Sequence, residues 1–290
     1  MPEENPTILR MRLGSELREL RNRDGMSMEA ASEALSAADL DISPSKLSRL
    51  ENGRGAIKLQ DVRALLDLYK VTSESQRELL LQMAREARAA APGAWWTDYE
   101  SVLPSGLSTY VGLEAGAARL LAFTHCLPEG LFQTEDVARA LIQAANITAP
   151  AATIDRQVEL RMQRQKVIWE DPRLELVTIM DEAALLRPIG GVEAMKRQIA
   201  RIVEVCEALP NVSLQVIPLV KGAYATQHGM FTLIEPRDLT LKPVAYVDST
   251  GGNLYLQRPD QIARFRKMFG DLQAIALDSS ESLDLVRSRC

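Results

Sequence analysis

Leu9, Leu13, Leu17 and Leu20 recur at the spacing that puts apolar side chains on one stripe of a 3.6-residue helix, and the pattern stops near Asp24-Gly25. A second helix opens with Ser27 as its cap and is rich in alanine, with Ala30, Ala31, Ala34 and Leu35 available for close packing. The third is short and carries its own boundaries. Ser43 serves as N-cap, Pro44 suits the first helical position, where no amide bond is lost, and Gly53 after Asn52 supplies a positive-φ stop. Between these ends Leu47 and Leu50 share a buried face, while Ser45, Lys46, Ser48 and Arg49 project from the other. Val62, Leu65, Leu66 and Tyr69 mark a fourth helix, and Leu79, Leu80, Met83 and Ala87 a fifth that opens at Ser73. Five helices within about 90 residues make a small all-helical domain.

Beyond it the pattern breaks at Pro92-Gly93, and Trp95, Trp96 and Tyr99 are expected to pin the chain to the core of a second domain. The expected organisation is a disordered start over 1–8, a helical domain over 9–90, a linker over 91–94 and a second domain over 95–290. In the second domain, 109–123 reads as a helix. Another is capped by Thr134, and a long charged helix runs from about Thr153 to Trp169, with Arg156, Arg161, Arg164 and Lys166 spread around it. From Arg173 the period changes. Strands are expected over 174–179, 212–218, 230–234, 244–247 and 254–256, with a short helix capped by Asp181 and a longer one from Gly191 to Leu209 between the first two. Two closing helices span roughly Pro259 to Ile275 and Ser279 to Ser288. Helices followed by a small mixed sheet with flanking helices define an α+β domain.

The balance of 46% hydrophobic and 25% charged residues over 290 positions fits a soluble, two-domain globular chain. The polar start holds no secretory apolar region and no apolar run approaches membrane-spanning length, so a cytoplasmic chain with no membrane partner is expected. Cys126, Cys206 and Cys290 lie far apart in no metal or redox spacing, which suits a reducing compartment. A net charge of −5 and a pI near 5.3 oppose nonspecific attraction to a polyanion. Locally the balance reverses. Between Ser45 and Lys58, the four cations Lys46, Arg49, Arg54 and Lys58 stand against Glu51 alone, a net +3. Phosphate attraction acts over a Debye length of about 8 Å at physiological salt, so this window outweighs the distant acidic surface. Short hydroxyl donors and long cations on one helix face suit the groove of a DNA duplex.

Leu17-Arg18-Glu19-Leu20-Arg21, Gly25-Met26-Ser27 and above all the run from Ser45 to Arg54 resemble the Xre family of helix-turn-helix DNA-binding domains, with their lambda-repressor-like fold. The resemblance implies an operator in double-stranded DNA, dimerisation, and an ion pair between Arg21 and Glu51 that ties the recognition helix to its scaffold; the alternative is two independently solvated charges. Ser45, Lys46, Ser48 and Arg49 are then the groove residues, with Arg54 or Lys58 on phosphate. Two departures stand out. Met28 occupies a position where the family usually has a Gln that touches the DNA backbone, and the link from Leu35 to Ser43 is about five residues longer than the family's tight turn, so that either the second helix is extended or the turn is a loop.

The second domain also resembles a known group, the C-terminal domain of unknown function in actinobacterial regulators described as antitoxin-like. Its landmarks here are Trp95 to Tyr99, Gly130 to Glu135, Arg161 to Gln165, Asp181 to Leu185, Leu209 to Val212 and Gly252 to Leu256. That resemblance implies a domain that receives a signal, from a small protein encoded nearby or a small-molecule effector. The candidate surfaces are the helix from Arg156 to Trp169 and the loop 221–229, where Tyr224, Gln227 and His228 offer stacking and hydrogen bonding. The loop is otherwise an ordinary connection between strands. No phosphate loop, metal-ligand pattern or nucleophile elbow occurs, so neither an enzyme nor a cofactor or metal site is expected. The adjacent His125-Cys126 pair reads more simply as structural, and Asp181-Glu182 and Glu135-Asp136 as helix-start carboxylates. The expectation is thus a sequence-specific regulator; the alternative is an antitoxin-like interaction protein that sequesters a small partner and binds DNA weakly or not at all.

Overall fold

A computed structural model describes residues 5–38, 40–54, 57–89, 94–103, 107–224, 229–248 and 253–289. The chain divides into two compact units, one of residues 1–98 with 238–241, the other of residues 99–237 with 242–290.

Among the described residues the α-helices of the first unit are α1 (Pro6–Arg23), α2 (Met28–Ala37), α3 (Pro44–Glu51), α4 (Leu59–Leu68) and α5 (Glu74–Ala89). α1 begins within the segment 1–8 for which disorder is expected. Asn5 Oδ1 accepts the amides of Thr7 and Ile8 at 2.9 and 3.2 Å, and Pro6 follows at the first helical position, so a cap hidden in a polar stretch starts the helix early. Thr7 and Leu9 are buried in consequence; residues 1–4 lie outside the described residues. Leu13, Leu17, Leu35, Leu47, Leu65 and Leu66 form the centre of one core. α5 turns Leu80, Leu81 and Ala84 inward, whereas Leu79 is 61% exposed, because it falls outside the stripe of the helix that faces the core.

α1 and α3 touch at backbone distance. A Cβ on Gly14 would stand 2.6 Å from the Leu50 carbonyl oxygen, and one on Gly53, whose φ is +67°, would stand 2.7 Å from Met11 Cγ. The long link between α2 and α3 resolves as a loop: α2 stops at Ala37, the Leu40 amide donates back to Leu35 O at 3.0 Å, and Ile42 plugs into the core. Ser32 Oγ donates to Ile42 O at 2.7 Å and fixes the plug. Asp39 lies outside the described residues.

The break between units falls between Asp98 and Tyr99, past the expected linker at 91–94, of which 91–93 lie outside the described residues. Trp95 and Trp96 therefore belong with the helical unit, not with the second core as expected. Their rings meet edge to face at 5.7 Å and Trp96 is buried. Ring size predicts burial but does not select which core receives the ring.

The second unit contains α6 (Leu107–Ala115), β1 (Ala117–Thr124), α7 (Glu135–Ala145), α8 (Ala151–Arg164), β2 (Glu175–Asp181), α9 (Ala183–Leu186), α10 (Val192–Ala208), β3 (Val212–Ile217), β4 (Phe231–Pro236), β5 (Val244–Val247), β6 (Leu254–Leu256), α11 (Pro259–Ile275) and α12 (Ser279–Arg287). Among the described residues six strands form one mixed sheet in the order β3-β2-β1-β4-β5-β6, parallel across β3-β2-β1 and antiparallel from β1 to β6. The whole is α+β, as expected, with one correction. Residues 109–123 are not one helix: α6 ends at Ala115 and the rest becomes β1, which pairs Leu120 with Leu176 on one side and Ile234 on the other. A strand buried on both faces loses its two-residue alternation and reads as a plain apolar run. α11 covers one face, where Phe269 and Leu272 join Phe123, Ile179 and Phe231 in a core. The outer edge of β3 is closed by the chain entering α12, with Leu277 N donating to Val216 O at 2.9 Å and Val216 N to Ser282 Oγ at 2.8 Å. Charged α8 stops at Arg164, and a 3-10 turn over Gln165–Ile168 replaces its expected end.

Candidate nucleic-acid interface

α3 has the ends its sequence specifies. Ser43 Oγ accepts the Lys46 amide at 3.2 Å, and at the far end Arg54 N donates to Arg49 O at 2.7 Å across the left-handed Gly53. Leu47 is 0% and Leu50 8% exposed, which locks the inner face.

Behind α3 stands a buried charge cluster. Arg21 Nε and Nη2 donate to the two oxygens of Glu51 at 2.7 and 2.9 Å, a fork-to-fork contact, and Arg21 Nη1 donates to Met26 O at 2.7 Å. Arg18, whose role sequence reading missed, donates from Nη2 to Glu51 O at 2.9 Å and to Asn52 Oδ1. Its position three residues before Arg21, on the same helix face, is the signal that could have found it. The Glu51 carboxylate holds the Arg21 pKa above its usual value, while burial lowers that of Arg18. The Tyr69 hydroxyl, buried and without a hydrogen-bond partner among the described residues, is pushed up by burial first and by the Glu51 charge second.

The outer face is not uniform. Ser45 and Arg49 are exposed, and the Arg49 guanidinium makes no hydrogen bond or ion pair among the described residues. Lys58, at the N-cap of α4, is likewise exposed and has no side-chain cap bond. Ser48 and Arg54 are half-buried; the Ser48 hydroxyl lies 3.4 Å from Asn52 Nδ2, and Ser48 O accepts that amide at 2.7 Å. Lys46 differs from the rest. Its Nζ lies 2.9 Å from Asp61 Oδ2 and donates to Asp41 O at 3.0 Å, so its charge is neutralised inside the unit rather than offered to the groove. Asp61 is 5% exposed in the first turn of α4, and a carboxylate so enclosed draws in the nearest cation. The structure thus brings Ser45, Ser48 and Arg49 to one surface and turns Lys46 into the clamp beneath it.

In the second unit, Gln227 and His228 of the loop 221–229 lie outside the described residues. Tyr224 is engaged: its hydroxyl donates to Asp181 Oδ2 at 2.5 Å, and its ring stands edge-on to Phe123 at 5.9 Å. Burial, then that bond, raises its pKa. Beside it is a cleft of about 290 Å³ lined by His125, Asp181, Pro218, Leu219 and Gly222, at the carboxyl ends of the parallel strands. Burial pushes the neighbouring Cys126 thiol up, the direction opposite to that of a nucleophilic thiolate. The other expected signal surface changes too. Arg164, one of the cations spread around that candidate helix, is buried against Glu114 with two bonds of 2.8 Å. Among the described residues no acidic, histidine and cysteine group has the geometry to hold a metal ion, and no helix is long and apolar enough to cross a membrane.

Two families match the chain. A helix-turn-helix domain model covers residues 12–80, from within α1 into α5. A second model, a domain of unknown function (DUF5753), covers residues 107–288, from the start of α6 to just past α12. The chain belongs to the DUF5753 family. The DUF5753 portion contains the entire sheet and both closing helices, and the helix-turn-helix match encloses α2, the Ile42 loop and α3. No curated protein and no solved structure matches the chain.

Proposed function

We propose that this chain is a cytoplasmic, sequence-specific transcriptional regulator of the Xre type, which inserts α3 into the major groove of an operator. It acts as a homodimer and receives its signal, from a small protein or an effector, through an antitoxin-like C-terminal domain. The observation that carries the reading is the α3 surface. Arg49 stands exposed, unengaged among the described residues, on a helix whose other side is fixed by Leu47, Leu50 and the Arg21–Glu51 fork. A cation held ready by a rigid scaffold reads a base edge at low entropic cost. Lys58 supplies phosphate contact beside it, and dimerisation doubles the few contacts one such helix makes. On this reading the chain performs no catalysis and needs no cofactor. A gel shift with DNA from upstream of its own gene, repeated over a salt series, tests it. A complex that survives scrambled competitor DNA supports the proposal, and equal affinity for the scrambled duplex refutes it.

One observation favours a second reading. Lys46 is bound to Asp61, and Met28 offers no hydrogen bond at the start of α2, which weakens the cationic face. An interaction protein that sequesters a small partner needs no such face. It would yield no specific shift yet retain that partner on purification.

A further inference from the structure

The three parallel strands of the sheet end together. Thr124 of β1 pairs with Met180 of β2, and Asp181 pairs with Ile217 of β3, so His125, Asp181 and Pro218 stand at neighbouring strand ends at nearly one level. All three line the cleft of about 290 Å³, on the side where open α/β sheets take their ligands. Tyr224 lines it as well, and Ala183 and Leu219 join Pro218 as apolar wall. That volume suits a small ligand, since small-molecule sites begin at about 300 Å³.

Two polar groups of this cleft lack the partners their burial calls for. Asp181 is 7% exposed; its Oδ1 accepts the Ala183 amide at 2.8 Å and its Oδ2 the Tyr224 hydroxyl at 2.5 Å, yet among the described residues no cation pairs with it. Capping of α9 thus accounts for one oxygen and leaves the charge unanswered. The next residue shows the contrast: Glu182, equally enclosed, is paired with Arg289 and accepts the Leu219 amide at 2.8 Å. Arg187 and Lys221 are exposed, and neither pairs with Asp181 among the described residues. The second group is His125, whose ring stacks on Phe123 at 6.3 Å and whose enclosed Nδ1 has no hydrogen-bond partner among the described residues. The sign of a fitting ligand follows. An enclosed carboxylate calls for a counter-charge, and each of its oxygens keeps a second lone pair. A primary ammonium supplies the charge and three donors, whereas an anion meets like charge. One carboxylate and one imidazole are too few ligands for a metal ion.

We propose that this cleft binds a small organic cation, a primary amine with an apolar body, whose ammonium lies against the Asp181 carboxylate and whose hydrocarbon part packs on Pro218 and Leu219, with His125 as a further polar contact. As the effector of the sensing domain such an amine rests on the reading above; as a ligand of this cleft it is tested by binding alone, without DNA.

The full-length protein is titrated by calorimetry with benzylamine at neutral pH and constant ionic strength, with benzyl alcohol and benzoate as controls of like shape. Saturable binding of the amine is expected, with both controls weaker by roughly tenfold or more. Asp181→Asn, which keeps the size and removes the charge, should weaken the amine roughly tenfold or more, with native circular dichroism. Leu219→Lys, at a position 53% exposed, sets a tethered ammonium beside the same carboxylate and should weaken the amine by about as much. Absence of saturable amine binding overturns the proposal, as does equal or tighter binding of the alcohol or of benzoate. Unchanged amine affinity in Asp181→Asn also overturns it. Should that variant not fold, Leu219→Lys decides alone: affinity equal to the parent's refutes the site. Amine binding by a chain that fails the gel shift leaves the site standing and sinks only the regulator reading.

Discussion

Replacing Glu51 with Gln removes the charge on which the α3 scaffold depends while keeping the side-chain volume. The Glu51 side chain is fully enclosed and Arg21 is 8% exposed, so solvent screens the fork little. A second guanidinium, Arg18, stands 3.8 Å from the same carboxylate, and the amide introduced by Glu51→Gln leaves both cations facing a single neutral acceptor. Removing one partner of a buried pair costs about 3–5 kcal/mol; the amide retains one acceptor, which places the expected loss near the low end, about 3 kcal/mol. Because the fork joins α1 to the end of α3, the loss falls on opening of α3. Native-state amide hydrogen exchange at Leu47 and Leu50 reads it directly, and about 3 kcal/mol corresponds to roughly 150-fold faster exchange. The β1 amides serve as an internal control in the other unit. A paired replacement, Arg21→Met with Glu51→Met, is expected to recover most of the stability, since a buried pair is often replaced by apolar groups without loss. An acceleration below about fivefold in Glu51→Gln, equivalent to about 1 kcal/mol, would show two solvated charges and refute the latch.

Gly14→Ala should force α1 off α3, because its Cβ has 2.6 Å to the Leu50 oxygen; a destabilisation of about 1–3 kcal/mol in urea titrations is expected, with operator affinity falling alongside. Loss of neither would show that the two helices part freely. Lys46→Met should lower stability by about 1–3 kcal/mol by orphaning buried Asp61, yet leave the salt slope of DNA binding unchanged, whereas Lys58→Ala should flatten that slope by about one. A flattened slope for Lys46→Met would return it to the phosphate contacts. Arg49→Ala is expected to cost about 1–3 kcal/mol of operator binding and to relax one base position, and an equal loss on every sequence would reassign it to phosphate. Burial pushes the Cys206 thiol up to about 12, so the neutral thiol persists across mildly alkaline pH and reactivity rises only as pH approaches that value. Against an ordinary thiol near 8.5, its thiolate fraction at about pH 8 is roughly a thousandfold lower, and alkylation followed by mass spectrometry should be slow until urea is added. Equal rates with and without urea would contradict this.

The sequence alone determined the elements whose signals lie within one turn of themselves. Ser27 and Ser43 cap, Pro44 and Gly53 bound α3, Leu47 and Leu50 set its inner face, and the alternating runs at β3 and β4 stand where the period places them. Such features need no distant partner, because a cap or a stripe is satisfied by residues three or four positions away. The Arg21–Glu51 fork follows from family resemblance and not from pattern. What only the tertiary structure decided are matters of partnership across long separations. β1 is a strand because β2 and β4 flank it, and without them its apolar run fits a helix equally well. Lys46 turns inward because α4 brings Asp61 beneath it, and Arg164 because α6 brings Glu114. Tyr224 is held by Asp181 for the same reason. A charge has no preferred direction along the chain; desolvation and the nearest counter-charge choose it, and both exist only once the chain has folded.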